Sequence, residues 1–414
     1  MAIKLPSRDI QVSQEFFQHL LRWASAVIGQ EFVESFVDLK RQREQFLRDQ
    51  WAGIESRDIT AIFREVDYEY LITSLHKNIT TEETLVDLQF QLAEICLQFS
   101  ELQRAHDLLT QTRLHLLEGV RDQQLGKLHL MLGRVEANRN QWMNARRWLE
   151  DGLYIYSTLN DTQGMASAHV DLGILNAQQW STTPALSHFE KAKELLRWNL
   201  NSPLGLKIQN NLAIIQCIHG GAEEAVRQFE KLLCHHYADK KDHKVYLQIN
   251  YGLAVKETAD LDRAKTILNK AVQAANVLPN TRLIALASLA LAEVHIRQES
   301  YEAGVEYLID SFKIFSKEHD RATLADSYRM FGMLHRETMH PQLAAANFDI
   351  SLRLNNESGN LLNLSETCYE YSLLAEQEHD KHKQIEYLQE SLSHAQAMGA
   401  TPRIKKLEQA IAAV

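Results

Sequence analysis

Proline and glycine are scarce in this chain, with six prolines and sixteen glycines among 414 residues. A sheet protein rich in turns and a disordered low-complexity chain both need more of these breakers, so neither is expected. Only four cysteines occur, Cys96, Cys217, Cys234 and Cys368, and no two stand in C-x-x-C spacing. That argues against a disulfide framework or a zinc knuckle, and the cysteines read as reduced packing residues. No run of about 18 apolar residues occurs anywhere, and the amino end, MAIKLPSRDIQ, has no apolar h-region. Neither a membrane span nor export is expected, and the cytoplasm is the expected location. A basic excess is missing as well: the net charge is −10, whereas nucleic-acid binding needs a positive footprint.

Catalytic motifs are also lacking. The sequence contains no G-x-x-x-x-G-K-[ST], no G-x-S-x-G, no H-E-x-x-H and no G-x-G-x-x-G after a strand, so neither an enzyme nor a cofactor is expected. Clustered metal ligands amount to His235 and His236 beside Cys234, and His379 with His382. Adjacent residues at the end of a helix point to different faces, and the second pair stands in a turn among charges. Both sets read as structural or solvated, and no metal is expected.

What the sequence does contain is a period. The stretch Leu172 to Ala192, LGILNAQQWSTTPALSHFEKA, reads as two antiparallel helices, with Ala185, Phe189 and Ala192 on one face of the second. Its large-then-small pair recurs at Leu92, Leu132, Leu172, Leu212, Tyr251, Leu291, Phe331 and Tyr371, in steps of 39 or 40. Each of these markers is followed by Ala, Gly or Ser. Thirteen residues after the marker stand Ala105, Ala145, Ala185, Ala225, Ala264, Gly304, Ala344 and Gln384, and four further on a Leu or Phe. Three columns in register establish eight helical repeats.

From about Leu85 onward the chain resembles a tetratricopeptide-repeat protein, with units of about 40 residues where the family's usual unit has 34. The extra residues lengthen each helix by about one turn, on the order of 5 Å. Such long repeats resemble those of the maltose-regulon activator, kinesin light chain, Pins-type scaffolds and Rap-type peptide receptors. The resemblance implies an all-α, right-handed α-solenoid of about eight helix pairs that grips peptides, protein partners or small effectors.

Before the repeats, Phe16, Phe17, Leu20, Leu21, Ala24 and Ile28 recur at helical spacing, as do Phe32, Phe36, Leu39 and Phe46, and then Ile59, Ile62, Phe63, Val66, Tyr70 and Leu71. Residues 1–80 are therefore expected to form a three-helix bundle, residues 81–400 the solenoid, and residues 401–414 a capping helix with Pro402 in its first turn. The bundle reads either as a cap on the first repeat or as an effector module, since Rap-type receptors also place a three-helix bundle before their repeats.

In such a solenoid the first helix of each repeat lines the concave wall, and the register assigns the side chains that face the groove. They are Lys127, Arg134 and Asn138 in repeat two, Asp171 in repeat three, Lys207, Asn210 and Asn211 in repeat four, and Tyr246 and Asn250 in repeat five. Asparagine is a poor helix former, so its recurrence needs a reason. One is hydrogen bonding to an extended peptide's main chain; the other is bonding between repeats or solvation. Downstream, Arg329, Arg336, Glu337, Glu366, Tyr369, Glu370 and Glu376 are expected to make the carboxy-terminal end of the groove acidic. The expected activity is that of a non-enzymatic adaptor whose groove takes a protein or peptide segment, an acidic one by the charge of Lys127, Arg134 and Lys207. The alternative is a peptide-gated regulator whose amino-terminal bundle acts on a second protein.

Overall fold

A computed structural model of the protein describes residues 14–50, 64–74, 82–99, 101–117, 122–139, 141–179, 182–197, 199–234, 241–278, 280–318 and 321–414. The tail Met1 to Gln11, Ile59, Ile62, Phe63, Gly119, Pro279, and His235 with His236 lie outside these residues. Among the described residues there are helices and no strands. Helices α1 (Gln14–Val27), α2 (Gln30–Gln50) and α3 (64–74) come first. Eight pairs follow: α4 (Glu82–Gln98) with α5 (Leu102–Leu117), α6 (Asp122–Asn138) with α7 (Trp142–Thr158), α8 (Thr162–Gln178) with α9 (Thr182–Leu196), and α10 (Pro203–Ile218) with α11 (Ala222–Cys234). The remaining pairs are α12 (Lys241–Glu257) with α13 (Leu261–Ala275), α14 (Thr281–Arg297) with α15 (Tyr301–Glu318), α16 (Arg321–Glu337) with α17 (Pro341–Ser358), and α18 (Leu361–Gln377) with α19 (Lys381–Met398). A last helix, α20 (Thr401–Ala413), closes the series.

The chain divides into two compact units, Met1–Met131 and Leu132–Val414. In the first, Phe16, Leu20 and Ala24 of α1 are fully buried, with the Phe16 ring 5.6 Å from Phe99 and 6.0 Å from Tyr68. Trp23 Nε1 donates to Gln91 Oε1 at 3.0 Å, and Arg104 of α5 pairs with Glu65 of α3 at 2.7 Å. Helices α1 and α3 thus pack on the first repeat. The apolar faces expected for α2 and α3 are only partly correct, because Leu39, Phe46, Val66 and Tyr70 are exposed. Helix α3 instead turns Asp67, Tyr68 and Leu71 inward, and Asp67 draws Lys40 and Arg43 of α2 onto it.

In the second unit the repeat columns are the core. A Cβ built on Gly173 would stand 2.7 Å from Cε1 of Phe189, and one on Gly252 would stand 2.6 Å from Cγ of Leu268. The small residue after each marker therefore lets the second helix of the same repeat bring its large side chain against the backbone of the first. Ala185, Phe189, Ala225, Phe229, Ala264, Leu268, Ala344 and Phe348 are all fully buried. Helix starts are capped by side chains: Asp161, Ser202, Asn280 and Asn360 each accept from the backbone N–H three residues on.

The turn inside each repeat is a recurring device. Ala259, Glu299, Met339 and His379, each 40 residues apart, all take φ near +60°, the left-handed cap conformation that favours glycine. The following N–H reaches back five residues, as in Ser300 to His295, His340 to His335 and Asp380 to Ala375. We expect Glu299→Gly to stabilise the protein by about 1 kcal/mol by relieving that conformation. Ala185→Leu should destabilise by about 1–3 kcal/mol through overpacking against the first helix. Urea titrations of both variants against the parent check these signs.

Candidate functional site

The first helices of successive repeats carry charges that meet across repeat boundaries rather than facing outward. Arg134 Nε donates to Asp171 Oδ2 at 2.7 Å, and Lys207 Nζ lies 3.7 Å from Asp171 Oδ1. A longer series follows: Lys256 pairs with Glu293 at 2.9 Å, Arg329 reaches Glu293 at 3.8 Å and Glu366 at 3.2 Å, and Arg403 of α20 pairs with Glu366 at 2.8 Å. The signs alternate along both series. Partners stand 36 or 37 residues apart, three or four short of a repeat, so each step moves about one helical turn towards the start of the next first helix. The result is a pair of diagonal ladders across the wall.

The longer ladder is deeply buried. The Arg329 and Glu293 side chains are 2% and 3% exposed, and Asp326 adds a third carboxylate to Arg329 at 2.6 Å. Beside them Arg297 pairs with Glu293 at 2.8 Å, and Arg336 with Glu370 at 2.6 Å. Burial by itself would raise the pKa of Glu293, but Lys256, Arg297 and Arg329 outweigh it and hold this carboxyl well below the usual range. Glu366 behaves alike: burial opposes, Arg329 and Arg403 prevail, and its pKa falls to about 2. Lys256, also buried, is raised to about 12, chiefly by Glu293.

This geometry corrects one expectation. Arg329, Arg336 and Glu370 are buried and neutralise one another or their neighbours, so they do not present an acidic end to a ligand. Charges at a 37-residue offset meet because adjacent first helices are inclined; an aligned 40-residue register does not reveal that pairing. Only Glu376 of that set is exposed, with Glu337, Glu366 and Tyr369 half-buried.

The central wall is more open. In the second unit Arg134, Lys207, Asn210, Asn211 and Asn250 are half-buried, while Asn138 and Tyr246 are exposed and Asp171 is buried between its two cations. Asn250 Nδ2 donates to Asn210 Oδ1 at 3.0 Å across the repeat boundary. That bond uses one atom of each amide, leaving Asn210 a donor and Asn250 an acceptor. Asn211 Nδ2 turns back to the Lys207 carbonyl at 2.7 Å, leaving its own carbonyl oxygen for another donor. Lys127 belongs to the first unit, where its ammonium lies 4.6 Å from the centre of the Phe90 ring. Two arrangements escaped the sequence reading. Arg146 donates to Asn176 and Gln179 at 3.0 and 3.1 Å, and His169 Nδ1 meets His188 Nδ1 at 2.9 Å. Burial, with His188 and Lys191 nearby, lowers the His169 pKa to about 4. Among the described residues no three His, Cys, Asp or Glu side chains gather to hold a metal, and no helix is long and apolar enough to cross a membrane.

Removing Arg329 takes the shared cation from the carboxylates of Glu293, Asp326 and Glu366, so Arg329→Ala should cost about 3–5 kcal/mol, read by chemical denaturation. A carboxyl held below its ordinary pKa stabilises the fold above that ordinary value and stops doing so as pH falls through the folded one. For Glu366 the window runs from its ordinary 4.5 down to about 2. Thermal melts across it should fall more steeply for the parent than for Glu366→Gln.

No family model and no curated protein matches the sequence. Solved structures do. A Rap protein complexed with competence and sporulation factor aligns over 90% of this chain and 99% of its own, with TM-score 0.60 and 12% identity. The apo form of the quorum sensor NprR from B. thuringiensis aligns over 88% and 99%, with TM-score 0.53 and 15% identity. NprR in complex with its cognate peptide NprX aligns over 84% and 98%, with TM-score 0.51 and 14% identity. At such identities the likeness is one of fold alone: the described residues form eight helix pairs behind three leading helices, an all-α solenoid.

Proposed function

We propose that the protein is a non-enzymatic regulator or adaptor that takes a protein or peptide segment on the concave wall of its middle repeats. The observation that carries this reading is the contrast along the wall. From Lys256 onward the first helices bury their charges in one another, whereas Arg134, Lys207, Asn210, Asn211, Tyr246 and Asn250 keep accessible polar atoms. An extended segment offers alternating N–H and C=O groups, which Asn210, Asn211 and Asn250 complement. Arg134 and Lys207 flank Asp171 with their side chains more than a third exposed, and two cations on this part of the wall favour an acidic segment. One of the similar structures is named as a complex with its cognate peptide and another as a complex with competence and sporulation factor, which supports reading a solenoid of this fold as a holder of such a segment. Within this reading the wall in the second unit starts at Arg134 and Asn138 and runs to Asn250, and the protein works in the cytoplasm.

A second reading is favoured by the amino-terminal unit, where Leu39, Phe46, Val66 and Tyr70 are exposed on α2 and α3. We infer from these four exposed apolar side chains an interaction face through which the three leading helices act on a second protein. On this reading residues 1–80 form an effector bundle, residues 81–400 the sensing solenoid and residues 401–414 its cap.

Affinity capture from the native host, followed by identification of the bound segment, tests the first reading. Asn211→Ala and Tyr246→Ala should each weaken capture of that segment by about 1–3 kcal/mol, while Lys191→Ala on the opposite face should leave it unchanged. Equal binding by the wall variants moves the site elsewhere. Loss of capture on Phe46→Ser alone favours the bundle.

A further inference from the structure

Residues far apart in the sequence of the second unit touch. Thr182, at the start of α9, donates through Oγ1 to the carbonyl oxygen of Met398 at 3.2 Å, across 216 residues of sequence. The Thr182 hydroxyl in turn accepts from Nε2 of His219 at 3.1 Å. Met398 and Ala400 are 2% and 1% exposed and Thr182 is 4% exposed, although all three lie at helix ends, where exposure is the rule.

Gly220 explains how close this approach is. It occupies the same left-handed turn position as Ala259, Glu299, Met339 and His379, four residues with side chains, so the turn alone does not demand glycine. What demands it is Pro402, the second residue of α20, whose ring occupies the space where a Gly220 Cβ would stand. Helix α20 is also tied from within by Arg403 to Glu366 and by Leu407 packed with Leu388 and Ala395.

We propose that the corner between α19 and α20 is an intramolecular clasp, which seats on the start of α9 and on the intra-repeat turn of repeat four and holds the coil of the second unit closed. Its contacts lie outside the packing within each repeat. The clasp can therefore open by small changes in inclination between repeats, with every helix intact. This goes beyond the binding reading and stands without it.

The full chain tests this through hydrogen exchange and small-angle scattering, with circular dichroism as the control for helicity. Gly220→Leu drives a wedge against Pro402. The double variant Thr182→Val with Pro402→Ala removes the hydroxyl relay and the ring while adding no bulk and no strain. Both should exchange about tenfold faster at residues 398–403 and show a larger radius of gyration at unchanged helicity. Wild-type exchange and radius in the folded double variant would overturn the clasp, even where the wedge variant fails to fold.

Discussion

The repeat region depends on one recurring contact, a small residue on the first helix beneath a large one on the second, made at Gly133, Gly173, Gly252 and Gly332. Gly173 under Phe189 and Gly252 under Leu268 leave no room for even a methyl group without movement. That contact sets the distance between paired helices, and the distance decides which side chains of the next repeat come within reach. Burial of the columns supplies the apolar driving force. The polar pattern on the wall is secondary to it.

The ladders show how that secondary pattern is used. In a buried place an ion pair offsets its own desolvation only when its geometry is good and its remaining bonds are met. Arg329 meets that condition by serving Glu293, Asp326 and Glu366 together. Such a network adds less to stability than its number of bonds suggests, because a core of apolar residues would also fill the space. Its effect is on register: a repeat that slips by one helical turn loses its partner.

The fold was legible in the sequence because the columns at the marker, the small residue and the large residue are imposed by packing and recur at nearly fixed spacing. The start of the last helix followed from Pro402. The turn at Ala259, Glu299, Met339 and His379 was not legible, since none of these residues announces a left-handed conformation. At the site, Asn210 and Asn250 stand 40 residues apart, one repeat, and a hydrogen bond joins them, the bonding between repeats that the sequence offered beside a peptide contact. The register missed that Arg329 and Glu370 are spent on their neighbours, because helix inclination shifts the pairing offset from 40 to 37, and no single repeat contains that information. In α2 and α3 the helical period was present, but the choice of inward face went to Asp67 and its two cations rather than to Val66 and Tyr70.

The alternation of sign along the longer ladder limits how the array can change in length. Lys256, Glu293, Arg329, Glu366 and Arg403 follow one another as plus, minus, plus, minus, plus, one rung per repeat. Excising the repeat that carries Arg329 would set Glu293 against Glu366, and duplicating it would set arginine against arginine, in surroundings where like charges are not screened by water. Excising or duplicating two repeats together preserves the order. Parity is thus written into the wall: this half of the solenoid can lengthen or shorten by even numbers of repeats, and the odd steps are closed to it.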